Sequence, residues 1–322
     1  KYPLKNFIVL VPEQFTMQTQ KDLVSMHPRH GIMNIDVLSF ARLAYRVFEE
    51  TGTKQMQVLD DEGKNLILRK IAGDYENKLT VLKGNIKKLG YISEVKSVIS
   101  EFTQYDIGEE EMDEMLDHLD EDSRLYYKLK DIRLLYEGFQ DYLRERYITK
   151  EELLDVLNSQ VKESELLKNS VVVLDGFTGF TPVQNRLILE LMRCCKEVWV
   201  TVTMDERENP YAYKHPYQLF GLSKQMVTTL VRMAGEDHIE VEEPVCLYGY
   251  PVKRFEKNQE LAFLERNIFR YGSGRYDKAV ENLEIHAAGN PRQEADAVAE
   301  GIRRLVRKDQ YRYRDIGVIV SD

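Results

Sequence analysis

The residues with the clearest chemical potential lie in the run Val171-Val172-Val173-Leu174-Asp175-Gly176-Phe177-Thr178-Gly179-Phe180-Thr181-Pro182-Val183-Gln184. Four apolar residues deliver a carboxylate, Asp175, to the carboxyl end of a buried strand, which is where ligands bind in open α/β sheets. In nucleotide-hydrolysing motors a carboxylate so placed holds Mg²⁺, usually through water, and a neighbouring Glu activates the attacking water. Here the neighbour is Gly176, which offers no base, so a hydrolytic step at this place would lack a principal group. Two plainer readings stand beside this one. An Asp after a buried strand also caps turns. Thr181, Pro182 and Gln184 fit the N-cap, N1 and N3 places of a capping box that opens a helix from Val183 to Cys194.

The elements that must position Asp175 can be read from apolar periodicity. Phe7 to Val11 is a continuous apolar run stopped by Pro12, as expected of a strand buried on both faces. Ile35 to Leu38, Val171 to Leu174, Val198 to Val202 and Ile316 to Val320 have the same character. Helical patterns lie between them, and the expected class is α/β, a mostly parallel sheet flanked by helices. From about Asp60 to Lys168 strands give way to apolar residues at helical spacing, among them Tyr127, Leu134, Leu135, Phe139 and Tyr142. A large all-helical insertion over 60–168 is therefore expected within a first α/β domain of 1–59 and 169–270. The acidic run Glu109, Glu110, Glu111, Asp113 and Glu114 reads as a solvated helix face. Tyr271-Gly272-Ser273-Gly274-Arg275 is the expected linker, followed by the start of a second α/β domain over 276–322, with strands at Leu283 to Ala287 and Ile316 to Val320.

Composition narrows the function classes. With 43% hydrophobic and 31% charged residues the balance is that of an ordinary globular protein, and no apolar run approaches the roughly 20 residues of a spanning helix. No membrane role is expected. A net charge of −9 argues against nonspecific coating of nucleic acid, while leaving room for a local basic groove. Cys194, Cys195 and Cys246 are too few and too unevenly spaced for a disulfide framework or a four-thiolate metal site, so a cytoplasmic location is expected. The chain starts at Lys1 without Met, basic n-region or apolar h-region, and its natural start is expected upstream. His27, His30, His215, His238 and His286 show no metal-ligand spacing.

The strand ending in Asp175 resembles the second motif of superfamily 1 helicases of the UvrD/RecB type, an apolar strand followed by Asp-Glu-Phe-Gln and a later Gln; Asp175, Phe177 and Gln184 fall in matching places. Its glycine form, Leu-Asp-Gly-Phe-Thr-Gly-Phe-Thr-Pro-Val-Gln, is similar to that of the AddB family, also called RexB in streptococci. These are the B subunits of the bacterial ATP-dependent helicase/deoxyribonuclease. Val9 to Gln20 resembles motif Ia, and Leu38 to Val47 resembles motif Ib. Leu261 to Arg270, Asn290 to Leu305 and Tyr313 to Val320 resemble the passage into a second motor domain. The likeness covers essentially the whole chain, and it implies a RecA-like parallel sheet flanked by helices for the domain of 1–59 and 169–270 and a second RecA-like domain beginning over 276–322. The departures are equally specific. No Gly-x-x-x-x-Gly-Lys-Ser/Thr phosphate loop occurs, and in the family it would precede Lys1. Thr203-Met204-Asp205-Glu206-Arg207 lacks the γ-phosphate-sensing Gln of the third motif, and Ser321 stands where such helicases commonly place Arg.

The resemblance implies Mg²⁺ and ATP as cofactors of the parent family, with Asp175 and Gln184 as remnants of the site, Asp175 for the metal. It implies neither ATPase nor exonuclease activity for this chain, and neither cofactor is expected bound to it. The family's iron–sulfur cluster and nuclease domain lie outside the chain. Implied partners are single-stranded and double-stranded DNA and a heterodimeric AddA-type helicase–nuclease subunit. The implied process is double-strand break repair by homologous recombination, including recognition of the Chi hotspot. Phosphates should then meet cations, hydroxyls and amides, and unstacked bases should meet rings. Candidate DNA contacts are Gln14, Thr16 and Gln18 after the first strand and Ser39, Phe40, Arg42 and Arg46 after the second. Plainer roles remain open: core packing for Phe40, and a salt-bridged helix face for Arg42 and Arg46. Tyr311-Arg312-Tyr313-Arg314 interleaves rings and charges where a loop enters a strand. Two other functions stay in view: a helicase whose phosphate loop lies upstream, and an α/β protein-interaction module without nucleic acid.

Overall fold

A computed structural model describes residues 6–53, 57–86, 88–144, 147–270, 272 and 274–320. The chain divides into two compact units, Lys1–Pro244 and Val245–Asp322. In the first, β1 (Asn6–Leu10) leads through a short turn into α1 (Thr16–Met26), and β2 (Ile35–Leu38) leads into α2 (Phe40–Thr51). Ser39 caps α2 by accepting from Arg42 N at 3.4 Å, and Gly52, at φ +68°, ends it in the left-handed region that glycine adopts without strain. Between these ends Phe40, Leu43, Ala44, Val47 and Phe48 are buried, the i, i+3, i+4, i+7, i+8 stripe of a helix lying on a core.

A helical layer follows. β3 (Gln57–Leu59) opens it, α3 (Asp61–Asp74), α4 (Leu89–Gln104), α5 (Glu109–Asp117) and α6 (Arg124–Leu143) build it, and β4 (Tyr147–Thr149) closes it. Ile67, Leu68, Ile71, Ile92, Val95, Leu135 and Phe139 are among the residues of its own core. The buried Asp131 carboxylate accepts from the backbone N–H of Thr80, Val81 and Leu82 at 2.8–3.0 Å, which fixes the loop between α3 and α4. The expected all-helical stretch holds one departure: β4 pairs in parallel with β3, from Gln57↔Tyr147 to Leu59↔Thr149. A three-residue strand gives too little alternation to be seen in a sequence.

The chain then returns through α7 (Leu153–Gln160) and α8 (Glu165–Lys168) to β5 (Ser170–Leu174), α9 (Pro182–Cys194), β6 (Glu197–Val200) and α10 (Gly221–Glu236). The main sheet is wholly parallel, in the order β2-β1-β5-β6, with Val9 opposite both Val37 and Val173 and Val172 opposite Val198. Ile8, Leu10, Val172 and Leu174 belong to one core with Leu43 and Val47 of α2, Leu153 and Leu157 of α7, and Leu187, Ile188 and Leu191 of α9. Each such fully buried side chain contributes about 1.5–3 kcal/mol relative to exposure. Arg186 of α9 donates to Asp106 at 2.6 Å and to Asp155 at 2.9 Å, tying the helical layer to the sheet layer. The fold is thus α/β, a parallel sheet flanked by helices.

The second unit contains α11 (Gln259–Asn267) and α12 (Pro291–Arg307). Glu260 accepts from the backbone N–H of Glu281 and Asn282, at 2.7 and 2.8 Å. The strands expected at Leu283 to Ala287 and Ile316 to Val320 are not formed: among the described residues neither stretch enters a ladder. Apolar β-branched sequence favours extended backbone, but a strand exists only through a neighbour that accepts its hydrogen bonds. The Tyr271 to Arg275 segment lies inside this unit, with Tyr271 and Ser273 outside the described residues, as is Ser321. Among the described residues no helix is long and apolar enough to cross a membrane.

Candidate functional site

Because the four strands of the main sheet are parallel, their carboxyl ends share one edge, and the segments leaving β1, β2, β5 and β6 emerge there side by side. The ladder runs slightly past the strands: Val11 N donates to Leu38 O at 3.0 Å, Asp175 N to Leu10 O at 2.8 Å, and Thr201 N to Leu174 O at 2.9 Å. Asp175 is therefore fixed from both sides. Its carboxylate accepts from the Thr201 hydroxyl at 2.5 Å, and that hydroxyl in turn accepts from Gly176 N at 3.4 Å. Sequence reading did not find Thr201. Only the β5–β6 register, Leu174↔Val200, makes it the neighbour of Asp175.

Gly176 has φ +78°, and a Cβ built there would lie 3.7 Å from Pro12 Cδ, in ordinary contact. Backbone conformation, not space, selects glycine here, because an L side chain is strained at this φ. Gly176 is thus the residue that lets the chain turn off β5.

Behind the turn, three rings meet. Phe177 lies 5.5 Å from Phe40 and 5.0 Å from Phe180, and Phe180 lies 6.5 Å from Phe40, all within the range of favourable aromatic contact. Phe40 is 8% exposed and belongs to the core, whereas Phe177 and Phe180 are half-buried and pack against that core from outside. The Phe-Thr-Gly-Phe spacing in the sequence was the one available signal for the cluster.

The remaining candidates separate by environment. Thr16 is buried and donates to Glu13 O at 3.0 Å, and Ser39 is buried as the cap of α2. Gln14 and Gln18 are exposed, with Gln18 Nε2 donating to Asp22 at 2.8 Å. Arg42 and Arg46 are exposed on one face of α2 with Tyr45 between them, and among the described residues no carboxylate pairs with either. Gln184 forms the capping box: its Oε1 accepts from Thr181 N at 3.0 Å, and its N donates to Thr181 Oγ1 at 3.4 Å. Arg312 is engaged by Asp315, and His286 by Glu284.

As a Mg²⁺–nucleotide site this edge is poor in donors. Asp175 supplies one carboxylate already bonded to Thr201, Gly176 supplies no side chain, and Gln184 Oε1 is bound in a helix cap. Among the described residues no group of three His, Cys, Asp or Glu gathers in a metal-holding arrangement. These residues by themselves do not fit the Mg²⁺–triphosphate group. What the edge carries besides is the exposed side chains of Gln14 and Gln18, the half-buried ring of Phe177, and the exposed guanidinium groups of Arg42 and Arg46.

Comparison with known proteins bears on the same residues. The family model of the ADDB N-terminal region matches residues 1–265. Among curated proteins, the B subunit of the ATP-dependent helicase/deoxyribonuclease of Lachnoclostridium phytofermentans is 42% identical over 99% of this chain and 28% of its own length. The proteins of the same name from Caldanaerobacter subterraneus subsp. tengcongensis and Clostridium acetobutylicum are 35% and 30% identical, over 98% and 99% of the chain and 27% of their own lengths. The chain spans little more than a quarter of the curated relatives it matches.

Proposed function

The chain belongs to the family of ADDB N-terminal regions, and from that premise we propose that it is a helicase-like scaffold which holds single-stranded DNA along the carboxyl edge of its sheet without hydrolysing ATP. The observation that carries this reading is Gly176 at φ +78°, where a motor needs a Glu and this backbone disfavours any side chain. The single strand follows the segments leaving β1 and β2. Arg42 and Arg46 meet its phosphates, Gln14 and Gln18 lend polar contacts, and the rings at Phe40 and Phe177 lie behind the path, while the buried Ser39 fixes the start of α2.

In the assembled enzyme this chain would form part of the B component of a helicase–nuclease whose AddA-type partner drives translocation. The pair would resect double-strand breaks for recombination and respond to a hotspot in the single strand. Its setting would be the cytoplasm. A scaffold of this kind lets a strand pass over Asp175 without a turnover there.

The test is fluorescence anisotropy of a labelled single strand at low and moderate salt, with Arg42→Ala and Arg46→Ala in parallel. Phosphate contacts release counterions, so affinity should fall steeply with salt, and losing one cation should reduce the log–log slope by about 0.7. Binding that ignores salt, or that neither variant weakens, would sink the proposal.

A further inference from the structure

We infer that the segment joining β6 to α10, residues 201–220, carries a second base-stacking station for single-stranded DNA, with Tyr217 as its platform and Lys214 and His215 beside it. The inference rests on the DNA-scaffold reading, which it extends to a part of the chain that reading does not use. A segment of this length without helix or strand is uncommon in a compact unit, and one that is ordered by its own hydrogen bonds is more often functional than a mere linker. This one begins at Thr201, the residue that holds Asp175, so it leaves from the same sheet edge.

The segment is held by its own hydrogen bonds. Asn209 Oδ1 accepts from Tyr211 N at 2.9 Å, and Gln218 Oε1 accepts from Lys214 N at 3.0 Å, while Gln218 Nε2 donates to Ala212 O at 2.9 Å. At its far end Lys224, fully buried in α10, donates to Glu208 at 2.5 Å. Gly221 allows Pro216 O to approach where a Cβ would lie 2.7 Å from it. This much order supports side chains left in water: Tyr217 is 93% exposed and Tyr211 48%, with His215 packed at 6.3 Å from the Tyr217 ring. A single exposed ring is ordinary. Two exposed tyrosines, Tyr211 and Tyr217, and a histidine lie within seven residues on a backbone held by its own hydrogen bonds, and they offer a preorganised stacking surface.

Charge selects the ligand. Asp205, Glu206, Arg207 and Glu208 all have partners, whereas among the described residues Lys214 has no carboxylate. Between Tyr211 and Tyr217 the one formally charged side chain is Lys214, and rings flanking a cation suit bases and phosphates rather than an apolar protein face.

The experiment uses the full 322-residue chain and an oligothymidylate carrying 5-iodouracil, read by anisotropy and by photo-crosslinking. Tyr217→Ala should weaken binding roughly fivefold to tenfold, in the lower range for a base stacked on a ring, while Tyr217→Phe stays within about twofold of the wild type. The crosslink should fall on the peptide that holds Tyr217. The ring is exposed, so the melting temperature should not change. If Arg42→Ala weakens binding and Tyr217→Ala does not, this station is wrong and the scaffold reading survives, with the loop then facing a protein. If Tyr217→Phe is as weak as Tyr217→Ala, the hydroxyl acts and stacking is wrong. If the wild type does not bind at low salt, both readings fall.

Discussion

Gly176 and Asp175 divide one position's work between backbone and side chain. Replacing the glycine with Glu would restore the side chain a motor uses but place it at φ +78°. We expect Gly176→Glu to give no ATP turnover and to lower stability by about 1–3 kcal/mol, seen as a drop in melting temperature beside a flat phosphate-release assay. Buried ion pairs make a second residue-level prediction. Burial pushes the Glu151 carboxyl up, but the hydrogen bond and charge of Lys64, 2.7 Å away, outweigh it and hold the group below its ordinary value. A depressed carboxyl stabilises the fold above its unfolded pKa, about 4.3, and that contribution is lost as pH falls through the folded value. Urea midpoints should therefore fall between about pH 5 and lower values, and in Glu151→Gln this part of the pH dependence should vanish. Cysteine chemistry is as specific. Burial, with the Cys194 charge next to it, pushes the Cys195 thiol up to about 12, and burial raises Cys194 as well, while Cys246 is exposed. A thiol reagent near neutral pH should label Cys246 fast and the vicinal pair only after unfolding.

At the scale of the element, caps and apolar runs were legible and long-range polar contacts were not. The runs at Phe7, Ile35, Val171 and Val198 became the four parallel strands, but the burial expected on both faces holds for the inner strand β5 and not for the edge strand β6, where no residue is buried and Trp199 stands open to water. Thr181, Pro182 and Gln184 form the capping box their spacing implies, and Thr181→Ala should cost about 1 kcal/mol in a denaturant titration. Lys64 and Asp131 are charged residues within helices, yet both are buried. Their partners, Glu151 in one case and the backbone of Thr80 to Leu82 in the other, lie so far off in sequence that no local pattern reveals them. Asp131→Ala would leave those N–H groups without their acceptor at about 1–3 kcal/mol each, enough to melt the helical layer first in a circular dichroism scan. The candidate site was half legible for the same reason: Asp175 and its strand were visible, while Thr201 and the meeting of Phe40 with Phe177 depend on register. The two strands expected after residue 276 had the right composition but no partner to pair with.

The molecule as a whole is uneven in how it buries its chain. The first unit holds two apolar cores, whereas α12 in the second has no buried residue and Ile285 and Ile319 stand open to water. Hydrogen exchange should therefore report fast amides through Pro291–Arg307 and slow ones through β1 and β5, since local opening follows the lack of buried contacts. The feature with the widest reach is a small one, the parallel pair Gln57–Leu59 and Tyr147–Thr149. It gathers the departure and return of the helical layer into one narrow neck. Closing a longer excursion through a fixed neck costs only about 0.6 kcal/mol for each doubling of length. The layer is thus a cassette: evolution could lengthen, trim or exchange it, and an engineer could graft another in its place, while the sheet beneath keeps its register.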